Sequence, residues 1–198
     1  MGSEEILDKK LEEAIWAAKC LFDRGRTTGS SGNISFRLGD SIYISGSGTC
    51  FGLLKKEEFA VLSLDGTLKN GVKPSKEWPL HLAVYEQRPD TAAVIHTHGR
   101  YAALWSFMEG LDERDCIPAH TPYLKMKVGR VGVVPYEKPG SKELFAAFEE
   151  RVPFSDAYLL KQHGAVVPAE SITEAFFGIE ELEEGCFTAW NLKEKPVI

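Results

Sequence analysis

The sequence predicts an α/β fold in which a mixed sheet is covered by helices, and two patterns predict it. Short strand-like runs come in turn-separated pairs: Ile34–Leu38 and Ser41–Ser45 flank Gly39-Asp40, and Phe59–Leu64 and Thr67–Leu68 flank Asp65-Gly66. Both are hairpin signatures. Between them lie stretches whose apolar residues recur at helical period. Hairpins mixed with helices oppose a regular βαβ alternation. At 198 residues the chain is expected to form a single domain, residues 1–198, with a sizeable core.

Each element has its own signal. A first helix is expected over Glu4–Phe22, where Leu7, Leu11, Ala14, Ile15, Ala18 and Leu21 form an apolar stripe. Ser3 is its expected cap and Gly25 its stop. Trp78–Gln87 reads as a helix with Pro79 in its first turn. Ala92–Thr97 reads as a buried strand, followed by a helix near Tyr101–Met108. Val128–Val134 is strand-like, Ser141–Glu150 a short amphipathic helix, and Tyr158–Lys161 and Ala165–Val167 are strands flanking His163. A last helix, Ile172–Leu192, carries a capping-box pattern from Ser171 to Glu174.

Composition narrows the function classes. The net charge of -6 opposes sequence-blind nucleic-acid binding, which needs a basic surface. No apolar run approaches the roughly 20 residues of a membrane span, and no signal peptide is evident ahead of the first helix. Cys20, Cys50, Cys116 and Cys186 are scattered, a usage suited to a reducing cytoplasm.

The chemistry is carried by histidines. His96 and His98 sit at the end of the expected strand, in Val-Ile-His-Thr-His-Gly. Residues i and i+2 of a strand point the same way, so the two imidazoles project together. The pair alone is compatible with histidines bonded to backbone or solvent. His163, in Gln-His-Gly, offers a third imidazole, and three protein ligands with an open position describe a catalytic zinc centre. His81 falls four residues after Glu77 on one helix face and reads as a packed, structural histidine.

Anion-binding signals form a second group. In Pro-Ser-Lys-Glu-Trp, Ser75 and Lys76 are expected at the start of a helix and Glu77 in its first turn, where free amides favour an anion. Gly29-Ser30-Ser31-Gly32-Asn33 and Ser45-Gly46-Ser47-Gly48-Thr49 combine glycines with hydroxyls. Each loop alone reads as a plain turn. Taken together with Ser75 and Lys76, they read as a phosphate site built from amide nests.

These stretches, in this order, make the chain resemble the class II aldolase/adducin family. The matching segments are Thr-Gly-Ser-Ser-Gly-Asn-Ile-Ser, Ile-Ser-Gly-Ser-Gly-Thr, Pro-Ser-Lys-Glu-Trp, Val-Ile-His-Thr-His and Gln-His-Gly. The resemblance implies a three-layer α/β/α sandwich with a mixed, largely antiparallel central sheet. It also implies a homotetramer with active sites at subunit interfaces. His96, His98 and His163 would hold one zinc ion per subunit, and Glu77 would be the catalytic glutamate. Ser30, Asn33, Ser47, Gly48 and Ser75 would match the phosphate pocket. Tyr123 would match a tyrosine supplied by the neighbouring subunit, and His120 has no assigned role.

The implied reaction is cleavage of a ketose phosphate through a metal-stabilised enediolate, giving dihydroxyacetone phosphate and an aldehyde, as in fuculose-1-phosphate aldolase. Lys76 stands where those aldolases usually have serine and is more like the oxo-tetronate-4-phosphate decarboxylase branch. Decarboxylation is therefore the alternative. Pentulose-phosphate 4-epimerisation ranks below it, because that branch usually has Asp where Glu77 stands. A non-catalytic adducin-like module ranks last.

Overall fold

The computed structural model describes residues 2–193. The strands are β1 (Asn33–Leu38), β2 (Ser41–Ser45), β3 (Phe59–Ser63), β4 (Ala93–Thr97), β5 (Val131–Val134), β6 (Ala157–Leu160) and β7 (Gly164–Ala169). They form one sheet in the order β3-β2-β1-β4-β7-β6-β5. Every pairing is antiparallel except β5 with β6. The helices are α1 (Ser3–Asp23), α2 (Trp78–Gln87), α3 (Arg100–Ser106), α4 (Pro122–Lys127), α5 (Lys142–Arg151) and α6 (Ile172–Leu192).

Strand alternation divides the core in two. Ile34 and Phe36 of β1, Ala93 and Ile95 of β4, and Ala165 and Val167 of β7 pack with α1, α3 and α6. Val94, Val166, Ile42 and Ile44 point the other way, onto Leu80 and Val84 of α2 and Leu144 and Phe148 of α5. The architecture is the α/β/α sandwich that the resemblance implied. Asn33, Ser35 and His96 share the α2 side of their strands by the same alternation, so polar groups gather on that face.

Several local expectations need correction. Ser3 does not cap α1. The first helical bond falls on the Gly2 carbonyl, and no side chain caps the helix. At the other end Gly25 has φ +68, and the Gly25 and Arg26 amides return to Phe22 and Leu21, the Schellman ending that glycine permits. Thr67–Leu68 supplies only an isolated bridge, Leu62 to Leu68. Val128 belongs to the end of α4 rather than to a strand. Its amide and that of Gly129 (φ +87) both bond to Leu124, and the strand starts only at Val131. A six-residue helix is too short to show a period, which is why α4 escaped the sequence pattern.

The Ser171 signal is half met: its hydroxyl accepts from the Glu174 amide at 3.1 Å, but the Ser171 amide gives no bond to the Glu174 carboxylate, so the capping box does not close. Ser171→Ala should lower unfolding free energy by about 1 kcal/mol, measured as a shifted urea midpoint at unchanged slope. A full-strength midpoint would mean the cap contributes nothing.

Candidate metal centre and substrate pocket

β4 delivers His96 to the α2 face, and the chain turns immediately after His98. His96 lies opposite Asn33 on β1 and Val166 on β7. β7 follows a tight turn, Lys161-Gln162-His163, in which Gln162 takes the left-handed φ of 59. Gly164 then passes so close to β4 that an added Cβ would lie 2.1 Å from the Thr97 carbonyl oxygen. The contact sets His163 beside His98. Glu183, buried on α6, accepts from the Tyr101 and Ala102 amides at 2.8 and 2.9 Å. It thereby anchors the first turn of α3, directly after His98.

The three imidazoles converge. His98 Nε2 is 3.0 Å from both His96 Nε2 and His163 Nε2. Glu77 brings Oε2 to 3.3 Å from His96 Nε2 and Oε1 to 3.3 Å from His163 Nε2. His96 donates its Nδ1 proton to the Ala165 carbonyl at 2.9 Å, so its Nε2 presents a lone pair. Burial pushes His98 down to about 3 and His163 down to about 4, with neighbouring imidazoles adding to the effect. For Glu77, burial acts upward, and positive charge in the imidazole cluster, at His96 above all, outweighs it and holds the carboxyl below its usual range; with the rings neutral, a bound cation would have to supply that charge.

Neutral imidazoles facing an anionic carboxylate at these separations fit a cation. Tetrahedral zinc with bonds of about 2.0–2.1 Å sets its ligand atoms roughly 3.3 Å apart. Glu77, His96, His98 and His163 place their ligand atoms within 4.8 Å of one another. Glu77 Oε1, which faces the cluster, is buried with no hydrogen-bond partner, the kind of cost accepted where a ligand supplies the missing interaction; His163 Nδ1, on the far side of its ring, is buried without one as well.

Beside this cluster opens a cavity of about 550 Å³ lined by Ser30, Ser31, Gly32, Asn33, Ser47, Gly48, Ser75, Lys76, Glu77, His98 and His163. The structure thus brings together all the anion-site candidates, and adds Gly46, Pro139 and Gln162. Two details differ from expectation. Glu77 is the N-cap of α2, not part of its first turn, and Ser75 and Lys76 precede the helix.

The amide nests are also partly spent. Gly46 and Ser47 give their amides to the Glu58 and Lys73 carbonyls, and Ser31 gives its amide to Thr28. Ser31 Oγ donates to the Thr28 carbonyl as well. The donors left around the cavity include the Ser30, Gly32, Gly48 and Lys76 amides, the hydroxyls of Ser30, Ser47 and Ser75, and the Lys76 ammonium. Lys76 lies near enough to depress His98 and His163, and its stem packs against Gly140.

Tyr123 is absent from the cavity lining. It sits exposed on α4, as does Met126. His120 is exposed on the loop before α4. Sequence reasoning missed Ser35, Tyr85 and Glu183, which support the site from behind. His81 was read as structural, and it is fully buried, bonded to Ser35 and Asn33.

Fold and site together define a class II aldolase-type protein. The family model described as Class II Aldolase and Adducin N-terminal domain matches residues 12–190, and the chain belongs to that family. It is 38% identical over 187 residues to a 3-oxo-tetronate 4-phosphate decarboxylase of Escherichia coli, covering 94% of this chain and 88% of that one. It is 37% identical over 174 residues to an L-fuculose phosphate aldolase of Methanococcus maripaludis, covering 88% and 92%. The crystal structure of YgbL from Klebsiella pneumoniae superposes with a TM-score of 0.92 at 38% identity, covering 96% of this chain and 93% of that one. Among the described residues, no helix is long and apolar enough to cross a membrane.

Two outcomes follow from the geometry. His98→Ala removes the ligand that touches both others, so bound divalent metal should fall from about one ion per subunit to near none by elemental analysis. Retained metal would exclude His98 as a ligand.

The pH dependence has a fixed sign. His81, His98 and His163 are held below 6.5 in the folded protein. The unfolded chain therefore binds protons first, and the stability from keeping these rings neutral is full above pH 6.5. It drains as pH falls toward about 4 and about 3, the values for His163 and His98. Metal-stripped protein should melt at a lower temperature at about pH 5 than at about pH 7.5. Equal melting temperatures would mean that these rings titrate as they do in water.

Proposed function

We propose that the protein is a cytoplasmic, homotetrameric, zinc-dependent carbon–carbon lyase that decarboxylates a 3-oxo-tetronate 4-phosphate to dihydroxyacetone phosphate. The observation that carries this reading is Lys76, a cation at the cavity beside the three imidazoles and Glu77. An acid substrate presents a carboxylate for it to bind besides the phosphate; a ketose phosphate has the phosphate alone. The decarboxylase relative of Escherichia coli supports the same choice.

Zinc suits an imidazole-rich set with one carboxylate. Held by His96, His98 and His163, it would act as a Lewis acid for the negative charge that develops as the carbon–carbon bond breaks. Ser30, Asn33, Ser47, Gly48 and Ser75 hold the phosphate, in a loop frame that includes Ser31 and Gly32. Lys76 orients the carboxylate, so that the electrons of the breaking C1–C2 bond flow toward the C3 carbonyl.

Glu77 starts as an anion, in keeping with its lowered pKa. It takes the proton of the C2 hydroxyl, then delivers a proton to C2 once carbon dioxide has left. A solvent proton restores the hydroxyl. Positioning by the serine hydroxyls contributes the remainder.

A second reading, aldol cleavage of a ketose 1-phosphate, is favoured by the Methanococcus relative. The same Glu77 would serve it, with Tyr123 of a neighbouring subunit assisting proton transfer at the departing aldehyde. Epimerisation suits Glu77 less well, and a non-catalytic module suits neither Glu77 nor three converging imidazoles.

Assays with 3-oxo-tetronate 4-phosphate and L-fuculose 1-phosphate separate the first two readings. Both release dihydroxyacetone phosphate, one with carbon dioxide and the other with an aldehyde. Turnover of the acid alone supports the proposal; turnover of the sugar alone replaces it with the aldolase reading. Glu77→Gln should keep the metal and lose about 10²–10⁴-fold in kcat. Lys76→Ser should raise KM for the acid substrate by roughly tenfold, the scale of one charge-assisted hydrogen bond. An unchanged KM would show that Lys76 does not bind the carboxylate.

A further inference from the structure

Two periodicities interlock behind the cavity. Glu77, His81 and Tyr85 recur every four residues along one face of α2 and its cap, and Asn33 and Ser35 alternate along β1. They mesh into one unbroken line of hydrogen bonds. Tyr85 Oη is 2.8 Å from Ser35 Oγ, and Ser35 Oγ is 2.7 Å from His81 Nδ1. His81 Nε2 is 2.5 Å from Asn33 Oδ1, and Asn33 Nδ2 is 3.2 Å from Glu77 Oε2. All five side chains are buried.

The direction of every bond follows from the Asn33 amide. Its Nδ2 faces Glu77 and its Oδ1 faces His81, and an amide oxygen only accepts. His81 must then donate from Nε2. Its other nitrogen, in a neutral buried ring, accepts from the Ser35 hydroxyl. Ser35, having donated its proton, accepts from Tyr85. Reversing any one bond would set the Asn33 oxygen against the Glu77 carboxylate. The line leaves the two Glu77 oxygens unlike: Oε2 is engaged, and Oε1 has no hydrogen bond.

We propose that Tyr85, Ser35 and His81 are a buried positioning relay that fixes the Asn33 amide and thereby makes Oε1 the proton-carrying oxygen of Glu77. None of the three reaches the substrate cavity. They act through Asn33, as groups behind a ligand shell do when they set the orientation of those in front. The relay deepens the lyase reading and rests on it for the role of Glu77.

Nitrogen-15 NMR of zinc-loaded, histidine-labelled protein tests this without substrate. The His81 resonances, assigned by their loss in His81→Gln, should show a protonated Nε2 and a bare Nδ1. In Ser35→Ala the ring loses its donor to Nδ1 while the Asn33 oxygen still requires the Nε2 proton, so the tautomer should hold and the bare Nδ1 resonance should move downfield. On whichever substrate is turned over, kcat should fall about tenfold, with KM and zinc content unchanged. Ser35→Thr, which keeps the hydroxyl, should restore both the Nδ1 shift and kcat.

A protonated Nδ1 with a bare Nε2 in the wild type would overturn the relay. So would a Ser35→Ala protein with wild-type Nδ1 shift and kcat. Should Ser35→Ala fail to fold, the wild-type spectrum decides by itself. A correct tautomer in a protein that turns over neither substrate would sink the lyase reading and leave the relay standing.

Discussion

The opposition of His96 to Asn33 on one side and Val166 on the other sets where each reactive group lies. β4 is central in the sheet and buried along its whole length. A one-residue slip against either neighbour would turn His96 into the opposite core. With that register in place, β1 aims Asn33 at the base of α2, β7 starts where β4 stops, and His163 meets His98. The packing of apolar residues on both faces of the sheet thus specifies a polar arrangement that no single segment contains.

Burying so many polar side chains would be costly if they were left alone. An unpaired buried donor or acceptor costs about 1–3 kcal/mol, and the groups behind the cavity avoid that cost by satisfying one another. The exceptions are informative. Three buried side-chain atoms lack a partner among the described residues, and Glu77 Oε1 and His163 Nδ1 are two of them. Glu77 Oε1 faces the cluster that could hold a metal, whereas His163 Nδ1 lies on the far side of its ring from it. The net charge of -6 makes the local cations matter more. For the proposed anionic substrate, which such a chain repels at long range, the attraction would have to come at close quarters from Lys76, the hydroxyls and a cation.

Much of this was legible in the residues. The alternation that placed His96 and His98 together is a property of any strand, and the glycine after His163 signalled close backbone approach. The long helices announced themselves by period and by the Ser171 cap. What stayed hidden had physical reasons. α4 is shorter than two turns and shows no period. Ser35 and Tyr85 look like ordinary members of a strand and a helix. Only the packing of α2 on β1 makes them neighbours, across 50 residues of sequence. Loop amides looked available because sequence does not reveal which carbonyls come to meet them, as Glu58 and Lys73 do. Tyr123, expected to serve a neighbouring subunit, lies exposed and outside the cavity lining of its own subunit.

Gly164 has a wider consequence. Because any side chain there would collide with the Thr97 carbonyl, the dipeptide that supplies one imidazole is also the seam that closes two strands. Descendants of this chain can trade loop residues and redirect their chemistry toward new acids or sugars. They have no freedom to loosen this seam while keeping the donor beside it, so architecture and reactivity are inherited as one indivisible trait.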